Sequence, residues 1–531
     1  MSLYYDAAAV LTATEQGGSL KSRIYGHQIE LKSAPAQVYA LISETAKYDR
    51  FLKEVVDNAG LLVHEPKLTP LLALFFAHDH LFSRKGIAAP SAHPLRQAIE
   101  RHKARLQAEF TRGRLRRKCA SLDDLKQQLL AEKPPTSRSQ PRWVRINTLK
   151  SSLEQELATT FKAYRTDSNV AEVSSLLGSE KVLAIDHTIP DLIALPPEAD
   201  VTKTQSYKDG RVILQDKASC FPACMLIGDD DEAGTVRDCI DGCAAPGNKT
   251  SHLAALLAEH VSTKNKVYAC ERDPSRSKIL KAMMVKSGAK TVIVQSECDF
   301  LTLDPYAAQY QDVTHVLLDP SCSGSGIVGR EDIPILALPD DCKATQRQTQ
   351  NGSASSKKRK RDHVAPIPVA IAMEESAQAE ETREVAVDKT RLQKLSNLQT
   401  RIVEHALSFP ATVQVSYSTC SVHIEENEAV VARVLASAIA KELGWKLLGR
   451  EGQVKGLRSW PHRGVSSADL MASKAIDGNS MLNEEELESC IRCNPGDEEG
   501  TMGFFVCCFT RSAPAAKDAA PSDDSWDGFS D

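Results

Sequence analysis

Short apolar runs alternate with helical ones over the second half of the chain, and that alternation sets the expected architecture. Runs at 236–241, 266–270, 291–294, 315–318 and 412–416 have the length and β-type composition of buried strands. Between them, 250–259 and 274–287 repeat apolar residues at helical spacing. Strands alternating with helices imply a parallel, doubly wound sheet, so the fold class from about Gln215 onward is α/β. The first part of the chain reads differently. Apolar residues recur with helical period over 36–52, 68–82 and 94–117, with Gly and Pro between them, which predicts a helical region over 1–135. A Lys133-Pro134-Pro135-Thr136-Ser137 linker leads into mixed strand and helix signals (143–147, 152–164, 181–185, 211–214), read as a small α+β module over 136–215.

The α/β domain is expected to span 216–511, with two interruptions. Residues 338–390 are rich in Gln, Ser, Ala and charge, poor in aromatics, and read as a disordered insertion. Within it the basic run Lys357-Lys358-Arg359-Lys360-Arg361 fits a nuclear import signal. Residues 465–499 read as a second, looser insertion, and 512–531 as an acidic disordered tail.

Composition narrows the class. With 42% hydrophobic residues in 531, the chain has material for two or three cores. The first forty residues contain no apolar signal segment, and the richest apolar stretch, 68–77, is half of what a bilayer span needs. Fourteen scattered cysteines then fit a reducing compartment better than a disulfide framework. The expectation is an intracellular, soluble, monomeric protein without a membrane partner. Net charge is −5, yet residues 1–150 hold 24 Lys and Arg against 14 Asp and Glu. Between 84 and 118 eleven basic residues face Glu100 and Glu109 alone. A charge run is ordinarily a solvated face, but this imbalance suits contact with a phosphate backbone.

The chemistry gathers at the ends of the expected strands. Asp241-Gly242-Cys243-Ala244-Ala245-Pro246-Gly247-Asn248-Lys249-Thr250 follows the first strand and opens a helix. Small residues there let backbone approach a ligand closely. The spacing is neither a dinucleotide fingerprint nor a phosphate-cradling loop. Glu271, Asp299 and Asp319 follow the next three strands, where one acid is placed for ribose hydroxyls and another for an adenine amine. Any one of them alone is an ordinary capping carboxylate. Three together around a Gly- and Pro-bearing turn point to a nucleoside-containing cofactor, S-adenosylmethionine rather than NAD. Cys322 and Cys420 follow the last two strands of the set. A lone cysteine is normally a small buried hydrophobe, as expected for Cys220, Cys224, Cys239, Cys507 and Cys508. Cys490-x-x-Cys493 lacks a second ligand pair, so no metal is expected.

Asp241-x-Cys243-Ala-Ala-Pro-Gly-x-Lys249-Thr, Asp319-Pro-Ser-Cys322-Ser-Gly-Ser-Gly and Tyr417-Ser-Thr-Cys420-Ser, followed by Glu425-Glu426-Asn427-Glu428, resemble the Nop/Sun-domain RNA (cytosine-5) methyltransferases. Asp-Pro-Ser-Cys, with the opening Tyr4-Tyr5-Asp6-Ala7-Ala8, resembles the branch that methylates large-subunit ribosomal RNA. The resemblance implies a Rossmann-like S-adenosylmethionine-dependent methyltransferase domain, preceded by a small RNA-recognition-like module. By the same resemblance Cys243, Ala244, Ala245, Pro246, Gly247, Asn248 and Lys249 line the cofactor pocket. Glu271 takes the ribose, Arg276 lies beside it, Asp299 meets the adenine, and Asp319 stands between cofactor and target base. Cys420 matches the family's nucleophile and Cys322 its second cysteine.

Cytosine C5 becomes reactive only after a thiolate adds at C6, so the nucleophile must ionise. A helix expected over 425–443 would aid Cys420 through its dipole. Asp319 suits a hydrogen bond to cytosine N3, and Lys249 suits holding that network. The expected partner is RNA, most of all large-subunit rRNA or a pre-ribosome in the nucleus and nucleolus, and not DNA, whose cytosine methyltransferases use the thiol after the fourth strand. The alternatives are another RNA such as tRNA, or a ribosome-assembly factor that binds RNA without catalysis.

Overall fold

The structure is a computed structural model, and it describes residues 2–13, 20–25, 29–83, 85–132, 140–176, 180–228, 238–260, 264–327, 334–340, 389–473 and 481–512. The 133–137 linker, residues 341–388 of the expected insertion with their 357–361 basic run, and the tail from 513 lie outside the described residues. The chain divides into two units, 1–137 with 329–387 and 138–328 with 388–531. Among the described residues no helix is long and apolar enough to cross a membrane.

The first unit is helical. Pro35–Asn58 and Pro70–Leu81 form its centre, each opened by a proline whose missing amide costs nothing in the first turn. Phe51, Phe82 and Phe110 meet edge to face in the core. The single helix expected over 94–117 is instead two, Pro94–Arg101 and Lys103–Arg116, broken at His102. There the imidazole lies 3.2 Å from Glu65 and stacks on His64, tertiary contacts that the helical period does not encode. Folding also changes the basic stretch. Arg101 pairs with Glu65 at 2.7 Å, and Arg116 and Arg117 share Glu54 at 2.8 and 2.9 Å. Acids distant in sequence therefore offset part of its charge, so the stripe is less bare than its composition suggests. Residues 334–340, expected within the α/β domain, pack here, because Asp49 and Asp57 accept the amides of Ala337 and Asp340.

The second unit begins with an antiparallel sheet in the order β2-β3-β1-β4: β1 (Arg142–Ile146), β2 (Ala184–Ile185), β3 (Leu192–Leu195) and β4 (Val212–Leu214). β3 has no sequence signal of its own, being four residues long and buried throughout, with nothing alternating. The helix expected over 152–164 stops at Ala158, where Thr160 turns its hydroxyl back to Glu156. Two buried polar side chains of this module reach the following domain. Arg145 donates to Gln215 and to Ser251, each at 2.9 Å, and Asn147 donates to the carbonyls of Gly210 and Ser287, each at 2.8 Å.

The main sheet holds β5 (Asp238–Asp241), β6 (Val267–Glu271), β7 (Val292–Ser296), β8 (Val313–Leu318), β9 (Gln414–Thr419), β10 (Lys446–Leu447), β11 (Ile491–Cys493) and β12 (Phe504–Thr510), in the order β10-β12-β9-β8-β5-β6-β7 with β11 beside β12. β5 to β9 are mutually parallel, and β12 runs antiparallel against β9. This is the Rossmann-like arrangement. The helices Asn248–His260 and Pro274–Ser287 follow β5 and β6. The second is capped by Asp273 at its start and ends at Gly288 in the left-handed conformation. The stretch 465–499, expected as a loose insertion, is a correction: β11 joins the sheet, and Leu470, Leu482, Leu487 and Cys490 enter the core beside it. Its charged helix Glu484–Ser489 masks those few apolar positions in the sequence.

Lys217 closes the seam between module and domain. Its side chain is 2% exposed, lies 2.7 Å from Asp186 and from Glu499, and sits between the rings of Trp143 and Trp460 at 5.5 and 5.2 Å. Removing one partner of a buried pair strands the other charge. Lys217→Ala is expected to lower unfolding free energy by about 3–5 kcal/mol, measured by urea denaturation. A loss under about 1 kcal/mol would mean that the pair behaves as a surface one.

Candidate active site

Parallel strands bring their carboxyl ends to one edge, and the acids and thiols stand there. β5 ends on Asp241, which is buried and accepts from Thr250 Oγ1 at 2.8 Å and from the Cys243 amide at 3.2 Å. Those two bonds fold the 242–247 loop back over the strand. Gly242 is required: a Cβ there would lie 2.8 Å from Leu318 and 3.1 Å from the Phe300 ring. Gly247, at φ +109°, occupies backbone space that side chains rarely adopt. Burial pushes the Asp241 carboxyl up to about 6, and burial together with Asp241 pushes the Cys243 thiol up.

β6 ends on Glu271, 6% exposed, which accepts the Asp273 amide at 2.8 Å. Arg276 reaches it at 3.6 Å and donates at 2.5 Å to the Ala245 carbonyl, so Arg276 ties the acid to the loop. Asp299 caps the Phe300–Thr302 turn through the Leu301 amide at 3.1 Å, with Arg272 3.6 Å away. Asn248 donates to the Leu214 carbonyl at 3.2 Å.

Lys249 projects from the first turn of its helix to Asp319, Nζ to Oδ2 at 2.8 Å, and lies 5.3 Å from the Phe504 ring. The other oxygen of Asp319 accepts from Ser418 at 2.9 Å. Burial lowers the Lys249 ammonium, but the charges of Asp319 and Cys420 outweigh it and its pKa ends above the usual lysine value. Next to this chain the sulfurs of Cys322 and Cys420 stand 3.1 Å apart. The hydrogen bond with Cys420, then burial, raises the Cys322 thiol far above its ordinary range. Cys322 is thus held protonated.

The structure therefore puts Cys322 in contact with Cys420 and Lys249 in contact with Asp319, with Cys243–Asn248, Glu271, Arg276 and Asp299 along the same edge. Two details differ from expectation. The helix expected over 425–443 is a 3₁₀ turn at Ile424–Glu426 followed by Glu428–Ala436 and Ala438–Glu442, broken at Ser437. Residues 421–427 separate Cys420 from its first turn, so the dipole expected to act on Cys420 starts only beyond them; Lys249 shares an electrostatic interaction with Cys420. Gln399 has no sequence signal, because nothing in its spacing marks it, and Ser418 stands in the Tyr417–Ser421 motif without a function attached. Glu426 and Asn427 stood in a quoted motif without a function attached.

The sequence matches known families along most of this length. Residues 36–125 match "NOL1/NOP2/Sun domain family member 5, N-terminal domain", 140–215 its "ferredoxin-like domain", and 228–361 "16S rRNA methyltransferase RsmB/F". The chain is 37% identical over 95% of its length to the 25S rRNA (cytosine-C(5))-methyltransferase rcm1 of Schizosaccharomyces pombe, 90% of which is covered. It is 33% identical over 99% of its length to a 28S rRNA (cytosine-C(5))-methyltransferase of Mus musculus, covering 94% of it. The chain belongs to the NOL1/NOP2/Sun domain family. Within this family member the module over 140–215 corresponds to the ferredoxin-like domain, and the part of the edge from Asp241 to Cys322 falls within the methyltransferase match.

Asp241 gives this edge a measurable pH dependence. Its folded pKa, near 6, lies above the unfolded value near 3.8, so between those values the native state holds a proton that the unfolded chain has lost. Its contribution therefore falls as pH rises through that window. Asp241→Asn should gain stability over wild type as pH is raised from 4 to 7, read from urea midpoints. A gap that stays constant with pH would show that Asp241 does not titrate there.

Proposed function

We propose that this protein methylates carbon 5 of cytosine in RNA through a covalent adduct, with large-subunit ribosomal RNA as substrate. The observation that carries the reading is the contact chain Lys249–Asp319–Ser418 beside two sulfurs 3.1 Å apart. Relatives covered nearly end to end are named as large-subunit rRNA cytosine-C5 methyltransferases, which supports the substrate.

The donor set fits S-adenosylmethionine. Glu271 offers a buried carboxylate to vicinal hydroxyls, Asp299 an acceptor for an amine, and Cys243–Asn248 a close-packed backbone wall. Lys249 is committed to Asp319, which leaves no cation in the loop for a phosphate and disfavours a dinucleotide. When bound, S-adenosylmethionine supplies an electrophilic methyl group. The protein's residues do the rest. Cys420 adds as thiolate to C6, which breaks the ring's aromaticity and makes C5 nucleophilic. Asp319 holds the pyrimidine edge: each of its oxygens keeps a lone pair beyond the bonds to Lys249 and Ser418, to accept from the cytosine N4 amino group and from N3–H once attack at C6 has made N3 basic enough to carry a proton. Lys249 keeps positive charge next to the attacking sulfur. Once C5 carries the methyl, its proton leaves, the ring double bond re-forms and Cys420 departs, with Cys322 beside it. Action on large-subunit rRNA places the protein in the nucleus and nucleolus, to which the 357–361 basic run would direct it.

Tritiated methyl transfer from S-adenosylmethionine to rRNA lacking the modification tests the assignment. No incorporation by wild type would leave a non-catalytic RNA-binding role. Cys420→Ala should abolish transfer, and Asp319→Asn should slow it by about 10²–10⁴-fold. Cys322→Ala should leave attack intact and accumulate a protein–RNA adduct. An adduct in Cys420→Ala instead would reverse the two cysteine roles.

A further inference from the structure

Glu426 and Asn427, adjacent in sequence and fully buried, each grip one of the two cysteine loops, which also bond one another through Ser323 and Ser325 to Ser421 and through the Gly326 amide to the Cys420 carbonyl. Glu426 holds the loop after β8 on both sides of Cys322. The Ser323 amide donates to its two oxygens at 2.9 and 3.2 Å, and Ser323 Oγ donates at 2.5 Å. Gln399, which donates to Glu426 at 3.0 Å, also donates to the Ser321 carbonyl at 3.1 Å. Asn427 holds the loop after β9 on both sides of Cys420. It accepts from Thr419 Oγ1 at 2.6 Å and donates to the Ser421 carbonyl at 3.0 Å. The pair is itself anchored, because Tyr417 donates its hydroxyl to the Glu426 carbonyl at 2.5 Å. Burying a carboxylate is unfavourable unless its oxygens are fully used, and here each has partners.

We infer that Glu426 and Asn427 are positioning residues with separate tasks: Asn427 aims Cys420 for attack, and Glu426 holds Cys322 against the departing Cys420 sulfur during release. This rests on the reading that Cys420 attacks and Cys322 assists release. In that step the C5 proton passes to water, the C5–H electron pair restores the C5–C6 double bond, and the C6–S pair returns to Cys420. The Cys322 thiol, 3.1 Å from that sulfur, stabilises the pair as it arrives. Among the described residues the Glu426 carboxylate bonds only Ser323 and Gln399, on the Cys322 side, so loosening it acts first on Cys322, leaving attack in place and slowing release. Loosening Asn427 does the opposite.

The test follows covalent adduct on denaturing gels, with rRNA lacking the modification and S-adenosylmethionine, using the full chain. Glu426→Gln should lower turnover by about tenfold to hundredfold and raise the adduct above wild type. Asn427→Ala should lower turnover with the adduct reduced. Both should keep wild-type S-adenosylmethionine affinity. Adduct changes of the same sign in the two variants, or wild-type turnover in Glu426→Gln, would overturn the division of tasks. If Glu426→Gln melts early, Gln399→Met removes the bonds to Glu426 and to the Ser321 carbonyl without touching the Cys420 loop and should raise the adduct too; an adduct at wild-type level there overturns the role of Glu426. Cys322→Ala run alongside separates the two claims, since its failure to trap adduct sinks the cysteine assignment rather than the positioning one.

Discussion

The parallel register of β8 and β9 is the constraint on which the site depends. Leu318 lies opposite Tyr417, so the two strands release their chains at the same edge, roughly 4.8 Å apart. From that point Asp319 and Ser418 meet in a hydrogen bond, and the Cys322 and Cys420 loops leave side by side. A slip of one residue would move every side chain of β9 to the other face and separate the pair. Such a slip is opposed from the far side, where β12 pairs with β9 over six residues.

Charge on this edge is arranged by burial as much as by contact. Asp241, Lys249 and Cys322 each sit where water is largely excluded, and each keeps the form that its neighbours stabilise. Asp241 is spent on the loop, through Thr250 and the Cys243 amide, and does not face the sulfurs. Lys249 is spent on Asp319. One loop thus supplies both a backbone wall and the cation next to the thiols, because its helix begins directly behind it. The module preceding the domain is fixed to it by Arg145, Asn147 and Lys217, three buried polar side chains that an independently tumbling module would not need.

Much of this was legible in the sequence. The five parallel strands and the Pro274–Ser287 helix follow from apolar runs with Gly, Pro and Asp at their ends, and the motifs place Asp241, Lys249, Asp319, Cys322 and Cys420 at strand termini. β3 and β11 were not legible. The first is too short to show a period, and the second is held by β12 rather than by its own composition. The break at His102 and the split helix after Cys420 belong to the same class, since tertiary partners of His102 and Ser437's capping bond decide them.

The sequence by itself determined the chemistry: which groups stand at the strand ends, and that two of them are thiols. Only the tertiary structure decided which partners those groups meet. Local sequence fixes backbone tendencies within a few residues, whereas the hydrogen bond from Ser323 to Glu426 joins positions 103 apart in the chain and that from Lys249 to Asp319 positions 70 apart. Those bonds form only once the sheet has set its register, and the cation beside Cys420 is one of their products.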